Sequence, residues 1–293
     1  MAILVDKDTR VLCQGMTGWA GTHHTARMME YGTTVVGGVT PGKGGRSHLN
    51  LPIFDSMKKA AAETKANASM IFVPPANAAN AMIEAIEAEM PLVVVVTERV
   101  PALDMVRVRQ ALDGSKTRLI GPNSQGILAP DVCMIGVMAT GSERPGSIGI
   151  VSRSASLTSE VVAQVSAENM GQSTTVGVGG DPIHGVSMVQ CVELFLADAE
   201  TQGIILIGEI GGTEEQEVAE YLQGKKVTKP IVALIAGQHA PTERRMGHSG
   251  TLTMFGRGDA NSKIAALEKA GVRVAPSAHL VGATMRQALS QVN

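Results

Sequence analysis

The sequence predicts a doubly wound α/β fold, laid down twice along the chain. Three observations carry that reading. Short Val- and Ile-rich runs alternate with Ala-rich helical stretches, the order of a βαβ protein. The strand candidates are continuous apolar runs without polar alternation, which suits parallel strands covered on both faces. The alternation also restarts after a looser stretch mid-chain, and 293 residues are enough for two domains.

In the first half, strands are expected at residues 10–14, 33–39, 68–73, 92–97 and 118–120. Helices between them are expected at 22–31, 57–65, 77–88 and 102–112. Residues 129–146 carry Pro130, Gly136, Gly141, Pro145 and Gly146 and read as a connection between domains. The division is therefore 1–128, the connection 129–146, and 147–293. Second-half strands are expected at 147–152, 174–178, 203–207, 231–235 and 272–274, with helices at 156–169, 187–197, 214–223 and 261–270.

Composition excludes several classes. The chain is 44% hydrophobic and 18% charged, which fits a globular enzyme and not a disordered chain. A net charge of −2 gives no general basic surface for nucleic acid. Aromatic residues are only 2%, so the core must rely on aliphatic side chains and 16 Met. Apolar runs such as residues 91–96 are far shorter than the roughly 18 needed to span a bilayer. No signal or transit pattern opens the chain, so a cytoplasmic protein without membrane partners is expected. Cys13, Cys133 and Cys191 form no CxxC and read as buried free thiols; no metal site is expected.

Two regions carry candidate chemistry. The first strand runs into Gly15, Gly18 and Gly21, spaced G-x-x-G-x-x-G before a helix. Such a loop lets backbone N–H groups approach a phosphate at a helix N-terminus, although a ligand-free βα turn has the same look. No acid follows the second strand to hold a ribose hydroxyl; Lys43 stands there in another glycine loop. A lysine suits an extra phosphate, as CoA and NADP both carry.

The second region centres on His248, in a Gly-flanked loop preceded by Arg244 and Arg245. An imidazole near cations and open backbone is suited to attack a phosphoryl group, whereas a lone histidine is more often structural. Ser154 and Ser156 open a helix after a strand, where N–H groups and hydroxyls face outward. Glu209 ends a strand among glycines, where a carboxylate can orient an imidazole. All three lie at carboxyl ends of predicted strands, where open α/β sheets bind ligands.

These motifs stand in one order: Gln14-Gly-x-Thr-Gly18, the glycine loop 37–45 around Lys43, Gly121-Pro-Asn123, Val151-Ser-Arg-Ser154, Gly179-Gly-Asp-Pro182, Gly208-Glu-Ile-Gly-Gly212 and Arg245-Met-Gly-His-Ser-Gly250. In that order, end to end, the chain resembles the alpha subunit of succinyl-CoA synthetase (succinate–CoA ligase) and related acid–CoA ligases such as malate–CoA ligase. The resemblance implies a Rossmann-like CoA-binding domain followed by a flavodoxin-like doubly wound α/β ligase domain. It implies a beta-subunit partner of ATP-grasp fold holding ATP or GTP with Mg2+. Phosphate would pass through an acyl phosphate and a phosphohistidine, with CoA forming the thioester, and the reaction would be reversible. By position, His248 would be phosphorylated and Glu209 would orient it. Ser154, Ala155 and Ser156 would hold the phosphate. Thr17, Gly18, Trp19, Ala20, Lys43, Val96, Thr97 and Glu98 would line the CoA site.

The sequence departs from the family pattern at three places. Ala155 stands where the family has glycine, and Ser159, a candidate substrate-binding residue, where it has tyrosine. Gly121-Pro-Asn is followed by Ser124-Gln-Gly126 in place of Cys-Pro-Gly. The acid therefore stays open among succinate, malate, citrate and other carboxylic acids. Two rival readings have less to stand on. An NADP-dependent oxidoreductase leaves the His248 loop without a role. A non-catalytic CoA-binding subunit has no use for both Glu209 and His248.

Overall fold

The computed structural model describes residues 2–241, 247–248 and 258–291. The chain forms two compact units, Leu4–Met138 with Ile183–Val186, and Ala139–Pro182 with Ser187–Asn293 and Met1–Ile3.

The first unit opens β1 (Arg10–Gln14), α1 (Trp19–Tyr31), β2 (Thr34–Val39), β3 (Ser47–His48), β4 (Leu51–Phe54), α2 (Met57–Thr64), β5 (Ala68–Ile71) and α3 (Pro75–Glu87). It continues with β6 (Leu92–Val95), α4 (Ala102–Leu112), β7 (Arg118–Ile120), β8 (Gly126–Ala129) and β9 (Cys133–Gly136). Seven of these strands pair in the order β3-β4-β2-β1-β5-β6-β7. Only the short edge strand β3 is antiparallel. The parallel strands thus follow the dinucleotide-binding order, with its switch point between β1 and β5. Buried Leu12, Ile71, Val93 and Val95 meet Met57, Met82 and Met105 in the core. Methionine is adaptable enough to fill the space that aromatic rings would otherwise take.

The second unit holds β10 (Pro145–Ser152), α5 (Ala155–Ala167), β11 (Gln172–Gly177), α6 (Met188–Ala197), β12 (Gly203–Glu209) and α7 (Glu214–Leu222). β13 (Ile231–Ala236), α8 (Ala260–Lys269), β14 (Arg273–Val274) and α9 (Val281–Leu289) complete it. Its parallel strands run β14-β13-β12-β10-β11, the flavodoxin-like order. Side-chain oxygens cap three helices. Ser154 accepts from Leu157 N, Ser187 forms a capping box with Gln190, and Asp259 accepts from Ser262 N.

The expected strands all form, 10–14 and 118–120 with the expected bounds and the others with shifted ends. Those expected to reach residues 73 and 97 stop at Ile71 and Val95, so Val96 and Thr97 already lie past the sheet edge. The stretch 129–146 is more ordered than its Pro and Gly content suggests. It holds β9 and the start of β10, and β8 and β9 form a hairpin in which Gly126 faces Gly136. A Cβ on Gly126 would come within 2.0 Å of the Ile135 carbonyl oxygen, which explains a glycine inside a strand. β4, which contains Pro52, and α9 had no counterpart in the sequence reading. No described helix is long and apolar enough to cross a membrane.

Candidate active site

The carboxyl ends of β10, β11 and β12 are neighbours, and the His248 ring lies beside them, against Glu209 and Gly180. Ser152 is in register with Ile207, and Arg153 N donates to Ile207 O at 3.0 Å. Glu209 is the last residue of β12 and is buried. Nδ1 of His248 lies 2.8 Å from Oε1 of Glu209. An ionised carboxylate only accepts, so Nδ1 carries the proton and donates. In the neutral ring this leaves the nucleophilic lone pair at Nε2.

Several groups tune that ring. The hydrogen bond to Glu209 raises the His248 pKa above its ordinary value because it favours the charged form. Burial opposes the rise, the Glu209 charge adds to it, Arg153 opposes it, and Asp181 adds to it again. Gly180 gives the ring its place: a Cβ there would stand 2.5 Å from Cγ of His248. The motif 179–182 therefore has a local reason at the imidazole.

Behind Glu209 lies a buried ionic cluster that sequence reasoning missed. Arg153 donates to Gly211 O at 3.0 Å and to Oε1 of Glu215 at 3.2 Å, and its guanidinium is 3.4 Å from Oε1 of Glu209. Lys263 donates to Glu209 O at 2.8 Å, to Gly211 O at 2.6 Å and to the Glu215 carboxylate. Burial lowers the Lys263 pKa, while Glu215 opposes that fall. The signal was present in the helical spacing. Glu215 shares a buried stripe with Val218, Ala219 and Leu222, and Lys263 shares one with Ala260 and Leu267.

The start of α5 is occupied in a specific way. The Ser154 hydroxyl accepts from Leu157 N at 3.3 Å and so caps its own helix. Ala155 and Ser156 stand exposed in the first turn, where backbone N–H groups have no intrahelical acceptor. The Ser159 hydroxyl donates back to Ala155 O at 3.3 Å. Arg244 and Arg245 lie outside the described residues.

The first unit presents a separate constellation. Gly15 has φ +81, and a Cβ on Gly21 would lie 2.2 Å from Gly15 O. Both positions need glycine for the strand to turn tightly into α1. Gly18 caps α1 with no side-chain bond, leaving the first-turn N–H groups to another acceptor. Lys43 Nζ donates to the Thr17 hydroxyl at 3.0 Å, and Thr17 reaches the Thr40 hydroxyl at 3.3 Å. The structure thus brings Lys43 to the glycine loop across 26 residues. Trp19, next to Ala20 at the helix start, is 83% exposed and stacks on His23 with centroids 5.8 Å apart. Val96, Thr97 and Glu98 follow β6, a strand of the same sheet, and the Thr97 hydroxyl donates to Val73 O at 2.8 Å.

A cavity of about 690 Å³ lies elsewhere, by the amino-terminal ends of β13 and β14, and its wall includes Lys225, Lys229 and Arg273. Those cations already have partners. Lys229 donates to Phe195 O at 2.7 Å, Lys225 sits 3.2 Å above the Tyr221 ring, and Arg273 bonds Gln291. The helices α7, α8 and α9 end there, and basic residues suit helix C-termini, so it is not the candidate site. No group of three or more His, Cys, Asp or Glu among the described residues is placed to hold a metal ion.

Comparison with known proteins fits this geometry. A family described as a CoA binding domain matches residues 6–99, which contain the glycine loop, Lys43 and Glu98. A CoA-ligase family matches residues 151–273, which contain Ser154, Glu209 and His248. The succinate–CoA ligase [ADP-forming] subunit alpha of Staphylococcus aureus is 43% identical over 291 residues, covering 99% of this chain and 96% of its own. This chain belongs to the succinate–CoA ligase alpha-subunit family. Its Staphylococcus epidermidis relative is 43% identical over 285 residues, covering 97% of this chain and 94% of its own. Among solved structures, Methanosaeta concilii ATP citrate lyase with (3S)-citryl-CoA matches at a TM-score of 0.89 and 25% identity, covering 99% of this chain. The Methanothrix soehngenii ATP citrate lyase with citrate and coenzyme A matches at 0.88 and 25%, again over 99% of this chain. This chain spans about half of either structure's chain, 51%. A similar fold thus occurs both as a subunit-length chain and within a longer one.

Proposed function

We propose that this chain is the alpha subunit of a nucleoside-triphosphate-dependent acid–CoA ligase of the succinate–CoA ligase type, working through a phosphohistidine at His248 in the cytoplasm. The observation that carries the reading is the 2.8 Å Nδ1–Glu209 bond inside the region matched by the CoA-ligase family. The nucleotide, ATP or GTP with Mg2+, belongs to a beta-subunit partner of ATP-grasp fold.

Nε2 of His248 attacks the terminal phosphorus of the triphosphate. The N–P bond forms as the bond to the bridging oxygen breaks, and that oxygen leaves with the electron pair. The Nδ1 proton stays on the ring, held in its hydrogen bond to Glu209, whose charge stabilises the positive charge that develops there. The first-turn N–H groups at Ala155 and Ser156 supply dipoles suited to the phosphoryl oxygens. A carboxylate oxygen of the acid then takes the phosphoryl group as the N–P bond breaks and the electron pair returns to Nε2. The thiol sulfur of CoA attacks the resulting acyl phosphate. The C–S bond forms as inorganic phosphate leaves with the C–O electron pair, and the thiol proton passes to that phosphate. The fit of CoA rests on the uncapped start of α1 at Gly18 with Lys43 and Thr17 beside it. Thr17, Gly18, Trp19, Ala20, Val96, Thr97 and Glu98 are the residues read as lining that site.

The test is radiolabelling of the complex with γ-labelled ATP or GTP, followed by mapping. Base-stable, acid-labile label should sit on His248 and vanish in His248→Ala. Persistence of that label in the alanine variant overturns the proposal. The isolated chain should make no acyl-CoA from acid, CoA and triphosphate, and co-purification should recover the partner that restores turnover.

A second reading keeps the chemistry and changes the acid. Ser159, read as substrate-binding, supports it: a small hydroxyl leaves room that tyrosine would fill. Malate or citrate would then be the acid in place of succinate.

A further inference from the structure

The residue that sequence reasoning did not reach, Lys263, is fully buried at the far end of the ionic cluster. Burying ions is costly, and a well-packed apolar replacement is often as stable or more so. A cluster of two cations and two carboxylates under a strand end therefore needs a reason beyond stability. The hydrogen bonds supply one. Glu215 Oε1 accepts from Glu209 N at 3.1 Å, and Lys263 donates to Glu209 O at 2.8 Å. Both backbone polar groups of Glu209 are thus held by one ion pair. Lys263 also donates to Gly211 O at 2.6 Å, so it fixes the chain on either side of Ile210. Its three donors have three acceptors, which leaves the ammonium no freedom to swing. Gly208 makes the arrangement possible, because a Cβ there would stand 2.4 Å from the Glu215 carboxylate.

We propose that Lys263, paired with Glu215, is a positioning residue for phosphoryl transfer at His248: the pair clamps the Glu209 backbone so that its carboxylate stays within hydrogen-bond reach of Nδ1. The proposal rests on the phosphohistidine reading for its functional consequence and on the geometry alone for its structural one. A supporting shell of this kind holds a reacting group to the fraction of an ångström that chemistry requires.

The experiment uses the full chain and its complex with the beta subunit. Lys263→Met leaves Arg153 to balance both Glu209 and Glu215 and risks unfolding, so it is paired with the double variant Lys263→Met/Glu215→Gln, in which Arg153 faces the single carboxylate of Glu209. Two readouts are taken. NMR titration of the His248 ring in the full chain reports the Glu209 contact whether or not the ring is phosphorylated. Single-turnover labelling of the complex reports phosphoryl transfer. In the double variant the ring titration should move toward that of an ordinary histidine. The labelling rate should fall about tenfold or more while the KM for CoA stays within about twofold. Unchanged titration and unchanged labelling rate overturn the proposal. Rapid exchange of the Glu209 amide in the wild-type chain also overturns it, without any variant. If wild-type label never reaches His248 yet the ring titration still shifts, the phosphohistidine reading fails and the clamp stands.

Discussion

His248 and Glu209 are 39 residues apart in sequence and 2.8 Å apart in space, Nδ1 to Oε1. The contact joins the end of β12 to the segment following β13, its neighbour in the sheet. It fixes which ring nitrogen holds the proton, and so which one can attack. In Glu209→Gln the ring keeps a neutral partner and loses the charge that stabilises it. The rate of His248 phosphorylation should fall about a hundredfold, measured by rapid-quench labelling.

The same contact sets a pH dependence. In the proposed phosphoryl transfer the attacking form of His248 is neutral, and the hydrogen bond to Glu209 raises the ring pKa above the ordinary 6.5. Phosphorylation rate should therefore rise with pH through that raised value. Removing the Glu209 charge lowers the ring pKa, so the rise in Glu209→Gln should begin at lower pH. Folding stability has the opposite sign. A raised folded-state pKa contributes stability that is full below the unfolded value and lost as pH climbs through the folded one. Chemical denaturation on both sides of neutrality should reveal that loss in the wild type, and less of it in Glu209→Gln.

Gly180 offers a steric test of ring placement. A single added methyl meets Cγ of His248 at 2.5 Å, closer than real contacts allow. Gly180→Ala should leave the unit folded and push the imidazole off Glu209. Labelling should drop by about tenfold or more, since a shift near 1 Å is costly to catalysis. Wild-type labelling in a folded Gly180→Ala protein would show that the ring has room to spare.

Lys43 predicts the chemistry of the first unit. Its ammonium lies 3.0 Å from the Thr17 hydroxyl, beside the start of α1. Calorimetry should show CoA binding much more tightly than NAD or NADP. Lys43→Ala should cost roughly 1.5–3 kcal/mol, the loss of one charge-assisted phosphate contact. Equal affinity for CoA and dephospho-CoA would contradict a 3′-phosphate partner for this lysine.

Ser159 predicts substrate choice. With tyrosine in its place, the relative kcat/KM for succinate over malate and citrate should rise by about tenfold, equivalent to roughly 1.4 kcal/mol. Unchanged ratios in Ser159→Tyr, with wild type already favouring succinate, would remove Ser159 from the specificity argument.

Much of this architecture was legible in residue order. Parallel strands buried on both faces betray themselves as apolar runs, and the glycines of the first loop are forced by contacts such as Gly21 against Gly15 O. Glu209 and His248 were legible because one ends a strand and the other follows the neighbouring strand of the same sheet, and strand ends converge. Glu215 and Lys263 were not, because a charged residue in a polar-looking helix reads as solvated. Only their places on the buried stripes of α7 and α8, which pack together, distinguish them from neighbours such as Glu217 and Lys269. β4 escaped because Pro52 argues against a strand, a rule that relaxes near a sheet edge.

The cysteines have a practical consequence. Cys13, Cys133 and Cys191 are all buried, and burial pushes the thiols of Cys13 and Cys133 up to about 12 and about 11. Thiolate is the species that reacts with maleimides; Cys13 and Cys133 supply almost none at neutral pH, and Cys191 is shielded by its burial. A fluorophore attached to one engineered surface cysteine would therefore report from a single address on the native background, with no need to strip the chain of its own sulfur first.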